Sequence, residues 1–454
     1  MPDVIDQITE GLSKPYFRKI LKNLKIANEE NANTICKYIM VEQAEINIKN
    51  STKEGKIKVL VWLSNFLENK ILFQDMTKEN ILLYLNNLRR PQGQGNGWIN
   101  SYNNRQMIFL KFFKWLYNQN EPDNRERKTP QCMIGVKRLT KREKSSYRPS
   151  DIWDERDVSI FLKYCPNKRD RCYYAMAFDI SARPAEILSL RIKDIKFCVT
   201  DNNKQYVEVR IPDGKTGSRI TVLIDPIPYL KEWFSEHPHS SNSDSYIFIL
   251  KNGARLTYEG LASRRTYYEK TYYPSPIGEK SRVHVDDPDK AAIRNLVTKK
   301  WNLYVLRHSA LTKKSQFLTE ANLRSHAGWT TSSKMPQVYI HLSGESNNAI
   351  LEKKGLISKE VKDKENILKG KECPNCQEVN KHFSKFCVKC RMVLTYDSYS
   401  EVRNEDKQKI FKLENEMESL KQGINNIMNL IQQNPIFAYI KPEIMREKIE
   451  LNIR

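Results

Sequence analysis

Apolar positions recur every three to four residues through the first 125 residues or so, a period that predicts helices. Lys56 to Asn69 places Ile57, Val59, Leu60, Leu63, Phe66 and Leu67 at helical spacing. Thr77 to Leu88 opens on an N-cap threonine with Glu79 soon after, then carries Ile81, Leu82, Leu83, Leu85 and Leu88. Ser101 to Asn118 sets Met107, Leu110, Phe112, Phe113 and Leu116 among lysines and arginines. Between the last two runs lies Arg89-Arg90-Pro91-Gln92-Gly93-Gln94-Gly95-Asn96-Gly97, a basic, glycine-rich loop. No repeat of fixed period is visible.

The period changes to two at Gln205 to Ile211, where Tyr206, Glu208 and Arg210 alternate with Val207, Val209 and Ile211. Arg219 to Ile224 carries Ile220, Val222 and Ile224. The joint, Pro212-Asp213-Gly214-Lys215-Thr216-Gly217-Ser218, is rich in turn formers and predicts a hairpin with Lys215 at its tip. The remainder of 151–350 reads as helix. The polar, basic stretch 137–150 reads as a linker that could also follow a phosphate backbone. Near the C-terminus Ile410, Leu413, Met417, Leu420, Ile424, Ile427 and Ile431 alternate at spacings of three and four, an a/d heptad seam that Gly423 weakens locally. The expected fold class is therefore mainly α with a small β-hairpin or sheet. The expected division is a helical domain at 1–136, a linker at 137–150, an α+β domain at 151–350, a cysteine-bearing module at 370–396 and a coiled-coil helix at 404–433.

Length and charge narrow the partners. A chain of 454 residues suits two to four domains. Its hydrophobic fraction of 39% supports globular cores, and no apolar run approaches a membrane span. Met1 to Gly11 carries acids and no apolar h-region, so a secretory leader is not expected and a cytoplasmic location is. Lysine and arginine exceed aspartate and glutamate by 76 to 54, a formal charge of +22. Such a field attracts polyanions, nucleic acid above all, through counterion release. An anionic membrane fits less well, because no basic helix has a clean apolar face. Arg89 and Arg90 in the glycine-rich loop, with Lys137 and Arg138 in the linker, are candidate DNA contacts.

Four of the nine cysteines form two pairs, Cys373-Pro374-Asn375-Cys376 and Cys387-Val388-Lys389-Cys390. Paired thiolates at this spacing suit one tetrahedral zinc ion, closed and structural, with Phe383 and Phe386 to cover a small core. The other five are scattered, which suits a reducing compartment and not a disulfide framework.

Arg183 follows Ile180-Ser181-Ala182, and Arg307 follows Val305-Leu306. A guanidinium in such apolar or small surroundings is costly unless it meets an anion. Two of them could grip a phosphate and offset the charge of a pentavalent transition state; either could instead pair with a carboxylate, as Arg183 could with Glu186. Tyr339 follows Met335-Pro336, read as a break, on a short helix through His341. A phenol of pKa about 10 attacks at neutral pH only if its proton is taken up and nearby cations stabilise the phenolate.

Ala182-Arg183-Pro184-Ala185-Glu186-Ile187-Leu188-Ser189-Leu190-Arg191 through Asp194-Ile195, then Leu306-Arg307-His308-Ser309, then Gly328-Trp329 and Tyr339 together resemble the tyrosine recombinase or phage integrase family. Ser333-Lys334-Met335-Pro336 and Tyr339-Ile340-His341-Leu342-Ser343-Gly344 look most like archaeal members. The likeness covers about 150 to 345. It implies a helical core-binding domain ahead of an α+β catalytic domain, and a site-specific recombinase that cuts and rejoins DNA through a 3′-phosphotyrosyl intermediate, as a tetramer on DNA. In that family Arg183 and Arg307 would clamp the scissile phosphate, Lys215 would protonate the leaving 5′ oxygen, Trp329 would donate to the phosphate and Tyr339 would be the nucleophile. His308 would support the site without acting directly. Tyr304 stands where the family usually has His, three residues before Arg307, which leaves proton handling open between it and His326. His326 reads more readily as a packing or capping residue than as a proton carrier. Strand transfer would need no cofactor, the zinc being structural. Relaxation by a type IB topoisomerase, a non-catalytic DNA-binding regulator and a zinc-ribbon transcription factor are the alternative readings.

Overall fold

The computed structural model describes residues 4–12, 14–91, 97–140, 147–214, 217–275, 285–343 and 367–433. The described residues are mostly helical, with two small antiparallel sheets among them. It divides into two compact units, Met1–Lys144 and Ser145–Arg454.

Among the described residues the first unit holds the α-helices α1 (Val4–Thr9), α2 (Tyr16–Ala27), α3 (Glu29–Ile46), α4 (Asn50–Phe66), α5 (Lys78–Asn86) and α6 (Gly97–Tyr117). Leu21, Ile35, Ile39, Ile57, Leu60, Leu63, Phe109, Phe112 and Phe113 fill their common core. The α4 helix begins six residues before the apolar period does. Its polar first turns still face inward, because the Lys56 ammonium reaches Glu42 and Lys53 Nζ donates to the Ile8 carbonyl at 3.1 Å. Thr77 does cap α5, with Asn80, not Glu79, completing the reciprocal bond. The start of the expected linker is tied down. Leu139 N–H donates to Asn103 Oδ1 at 2.7 Å, and Asn103 Nδ2 donates to the Leu139 carbonyl at 2.8 Å. Residues 92–96 and 141–146, parts of the glycine-rich loop and of that linker, lie outside the described residues.

The second unit starts with α7 (Glu155–Tyr164), α8 (Lys168–Ile180) and the short α9 (Pro184–Leu188), followed by β1 (Ile195–Val199), β2 (Gln205–Gly214) and β3 (Gly217–Leu223). Helices α10 (Ile227–Glu236), α11 (Tyr258–Tyr267, continued by a π-helical turn to Tyr272), α12 (Asp287–Thr298), α13 (Val305–Lys314), α14 (Glu320–Ala327) and α15 (Met335–Ser343) complete the main body. Asp170, fully buried in the first turn of α8, accepts from Arg264 and Tyr268 and so ties α8 to α11 and its π turn. The short strands β4 (Lys371–Glu372) and β5 (Val379–Asn380) and the long helix α16 (Tyr396–Gln433) follow.

The hairpin gains a third strand and one correction. β1 pairs with β2, and β2 with β3, all antiparallel. Val207, Val209 and Ile211 are fully buried. On β3, however, Thr221 and Leu223 face inward with Arg219, while Ile220, Val222 and Ile224 are 68%, 47% and 57% exposed. The apolar alternation points to solvent here because the inner face of β3 is given to polar partners, with Arg219 on Glu186 and Thr221 on His326.

Candidate active site

Arg183 stands at the N-cap of α9, where Pro184 supplies a fixed φ for the first turn. Glu186, one turn on, accepts the Arg183 backbone N–H at 3.0 Å and its Nη1 at 2.6 Å. Carboxylate pairing, one of the two readings open for Arg183, is thus present. The same carboxylate also accepts Arg219 Nη2 at 2.9 Å. One acid therefore serves two guanidiniums.

Arg307 is 5% exposed, in the first turn of α13. Nη1 donates to the Ser181 carbonyl and Nη2 to the Ala327 carbonyl at 3.0 Å. Ser181 closes α8 in the left-handed region (φ 55°), and Ala327 is the last residue of α14. The guanidinium thus lies against the carbonyl ends of two helices, which favour a cation. Among the described residues no carboxylate pairs with it. Burial, with Arg183 and Arg219 nearby, brings its pKa down to about 10. Three arginines around one glutamate form a site with excess positive charge, suited to an anion.

Arg219 was not singled out in the sequence. Nε donates to the His326 carbonyl at 3.1 Å, and Nη1 is buried without a hydrogen-bond partner. Gly328 makes room for it. At φ 65° this residue closes α14, and a Cβ there would come within 2.7 Å of Arg219 Nη1. Trp329 follows directly, its N–H donating to the Arg324 carbonyl at 3.0 Å, and the Arg307 guanidinium lies 5.9 Å from its ring centre.

Tyr339 is 2% exposed on α15 and belongs to a small core with Leu311, Leu323 and Ala327 that joins α13, α14 and α15. Met335 and Pro336 form the first turn of this helix and do not break it. The ring stacks between Trp329 (5.5 Å) and His308 (5.6 Å), and the Tyr147 ring covers the imidazole at 3.9 Å. The phenol oxygen lies 3.0 Å from His308 Nδ1. Burial pushes the phenol up to about 12, and Arg307 and Arg183 act in the opposite direction. Burial, with Arg307 adjacent, brings His308 down to about 4, so its imidazole is neutral near pH 7.

Tyr304 stands apart. It precedes α13, is 40% exposed, and among the described contacts none joins it to Tyr339. His326 contacts Thr221 Oγ1 through Nδ1 at 3.1 Å, while its Nε2 is buried and unpartnered. Lys215 lies outside the described residues. Arg89, Arg90, Lys137 and Arg138 are all exposed, with Arg89 over the rings of Trp98 and Tyr102 at 5.5 and 6.0 Å.

The four paired cysteines converge. Their sulfurs all lie within 4.8 Å of one another, and Cys373–Cys390 and Cys376–Cys387 are each 3.5 Å apart. A tetrahedral ion with thiolate bonds of about 2.3 Å would set them roughly 3.8 Å apart. Both pairs sit on matched turns. Gln377 N–H donates to the Cys373 carbonyl and Arg391 N–H to the Cys387 carbonyl, with Gln377 and Arg391 both left-handed (φ 58° and 63°). Asn380 Nδ2 donates to Cys387 Sγ at 3.6 Å. Such a set can hold one metal ion.

This module is not free-standing. Leu368 and Val379 belong to the core of the second unit, with Phe383 packed on it, whereas Phe386 is 40% exposed. Of the two phenylalanines expected to cover a core of the module's own, Phe383 covers the larger core and Phe386 faces water. His382 bridges Ser159 (2.7 Å) and Tyr229 (3.2 Å), Lys381 pairs with Glu232, and Lys231 with Glu378.

No family model and no curated protein matches the chain. It is similar to solved structures of tyrosine recombinases and integrases. A XerH site-specific recombinase bound to palindromic difH substrate, in a post-cleavage complex, is 16% identical, covers 77% of this chain and 93% of its own, and gives a TM-score of 0.47. The Tn1549 transposon integrase in complex with transposon right end DNA is 14% identical, at 70% and 98% coverage and a TM-score of 0.47. A lambda integrase tetramer bound to a Holliday junction is 12% identical, at 75% and 84% coverage and a TM-score of 0.45.

Proposed function

We propose that this protein is a site-specific DNA recombinase or integrase of the tyrosine type. The observation that carries this reading is the Tyr339 phenol, hydrogen-bonded to His308 and under the influence of Arg307 and Arg183. The substrate is double-stranded DNA, which the net charge of +22 attracts, with Arg89, Arg90, Lys137 and Arg138 as candidate backbone contacts.

In this reading Arg183, Arg219 and Arg307 hold the non-bridging oxygens of the scissile phosphate, with Trp329 beside them. Tyr339 Oη attacks phosphorus, and its proton passes to Nδ1 of His308. The anionic phosphate offsets Arg307 and so raises the basicity of the imidazole. The P–O5′ bond breaks, leaving a 3′-phosphotyrosyl link, and the 5′ oxygen takes a proton from Lys215. A 5′ hydroxyl then attacks in reverse. One phosphodiester is exchanged for another, so no ATP is consumed, and no step in this sequence calls for a metal. Because Tyr339 is buried, α15 or the turn at Trp329 must shift before attack. His308 acts directly here, in place of the supporting role that the family resemblance implies, because it and not Tyr304 reaches the phenol.

Cys373, Cys376, Cys387 and Cys390 hold a structural zinc ion in this account, their closed sulfur set leaving no position for substrate. The first unit serves as the core-binding domain, residues 151–350 as the catalytic domain and residues 370–396 as the ribbon. Four protomers assemble on paired sites.

The test is incubation of the purified protein with duplexes from its own flanking DNA, nicked so that the 5′ product escapes. A protein–DNA adduct at one site, and recombinant products from intact pairs, are expected. Relaxed circles without site preference would instead indicate topoisomerase activity.

A further inference from the structure

Helix α16 runs for 38 residues, and every side chain from Lys407 to Ile427 is exposed. Ile410, Leu413, Met417, Leu420, Ile424 and Ile427 are each between 55% and 66% exposed. Their spacing of three and four puts them in one stripe, flanked by Lys, Glu, Asn and Gln. A stripe of six large apolar side chains in water is stable only against a partner helix.

We infer that α16 is one strand of a parallel, in-register, two-stranded coiled coil with a second copy of this chain. The seam composition bears on the number of strands. The a positions are Ile410, Met417 and Ile424, and the d positions are Leu413, Leu420 and Ile427. β-Branched isoleucine at two of the three a positions, with leucine at two of the three d positions, favours pairs over higher orders.

The flanking charges set the register. Lys409 and Glu416 occupy g positions, and Glu414 and Lys421 occupy e positions. In a parallel pair each g residue faces the e residue five places further along the other strand. Lys409 then meets Glu414 of the second copy, and Glu416 meets Lys421 of the second copy, each contact occurring twice by symmetry. A slip of one heptad would set Lys409 against Lys421 and Glu416 against Glu414, like against like. This surface is separate from the strand-transfer chemistry and does not depend on that reading.

The test is sedimentation equilibrium of the full chain without DNA at micromolar concentration. A dimer is expected. Glu416→Lys should weaken it about tenfold by turning two attractive contacts into repulsive ones. The double variant Glu416→Lys, Lys421→Glu should restore affinity to within about threefold. In an antiparallel pair e faces e and g faces g. The same double change would there set Lys409 against a second lysine and Glu414 against a second glutamate. A double variant weaker than the single one would therefore overturn the parallel arrangement. A monomer, a trimer or a tetramer as the parent species would overturn the two-stranded assignment. These variants change exposed helix positions only, and an unchanged circular dichroism spectrum would confirm that they fold.

Discussion

Tyr339 Oη and His308 Nδ1 stand 3.0 Å apart, and His308 follows Arg307 directly in α13. One turn of one helix thus carries both the cation buried between two helix C-termini and the imidazole that touches the phenol. The stack Trp329–Tyr339–His308–Tyr147 holds these rings in order.

His308→Gln should lower the single-turnover cleavage rate by about a hundredfold or more, the scale of losing a general base. DNA affinity should hardly change, since the residue is buried. The pH profile separates this role from a structural one. In the parent protein kcat/KM, which reports the free enzyme, should stay level as pH falls below neutrality and decline only toward about 4, where His308 protonates. An acid limb of unchanged position in the glutamine variant would show that another group sets it.

Arg219→Ala should slow cleavage about a hundredfold, as should Arg183→Ala and Arg307→Ala. Gly328→Ala should disturb the same corner. It places a side chain at φ 65°, a strain of roughly 1–2 kcal/mol, and drives a Cβ into the Arg219 guanidinium. Thermal unfolding and cleavage should both suffer, and a Gly328→Ala protein with parental rate would argue against Arg219 at the phosphate.

On the proposed zinc assignment, chelation should weaken the whole second unit, because the cysteine module shares its core through Leu368, Val379 and Phe383. A chelator, or Cys376→Ser with Cys387→Ser, should lower the melting temperature of the body that carries Arg183 and Tyr339. A chain ending at residue 365 should be similarly destabilised. Equal melting temperatures with and without chelator would mean that the module folds without a metal ion.

Acid should destabilise the protein earlier than its carboxylates alone would. Burial holds His308, His326 and His382 each at about 4, against an ordinary 6.5. The unfolded chain binds protons at these groups first, so the stability they contribute is complete above about 6.5 and is lost as pH falls toward 4. Denaturant midpoints measured across that window should fall steadily, and His382→Gln should flatten the slope.

Arg183, Arg307, Trp329 and Tyr339 could be singled out from the sequence because each sits in a short motif that carries the family resemblance. The helical character of both units was legible from period alone. Arg219 was not, because Ile220, Val222 and Ile224 supply an apolar alternation that points the wrong way. Only the partners Glu186 and His326, distant in sequence, reveal which face of β3 is inside. β1 was missed because Phe197 and Val199 are 43% and 58% exposed on an edge strand and leave no clean alternation. Nor could spacing show that His308, and not Tyr304, meets the Tyr339 phenol. That depends on how α13 and α15 pack.

The central claim is that Tyr339 becomes covalently joined to DNA. Nicked substrate carrying a labelled 3′ flank should be trapped by the parent protein, and peptide mass spectrometry should place the nucleotide on Tyr339. Tyr339→Phe should bind the same DNA with similar affinity and give no adduct. An adduct formed by Tyr339→Phe, or mapped to Tyr304 or any other residue, would contradict the account.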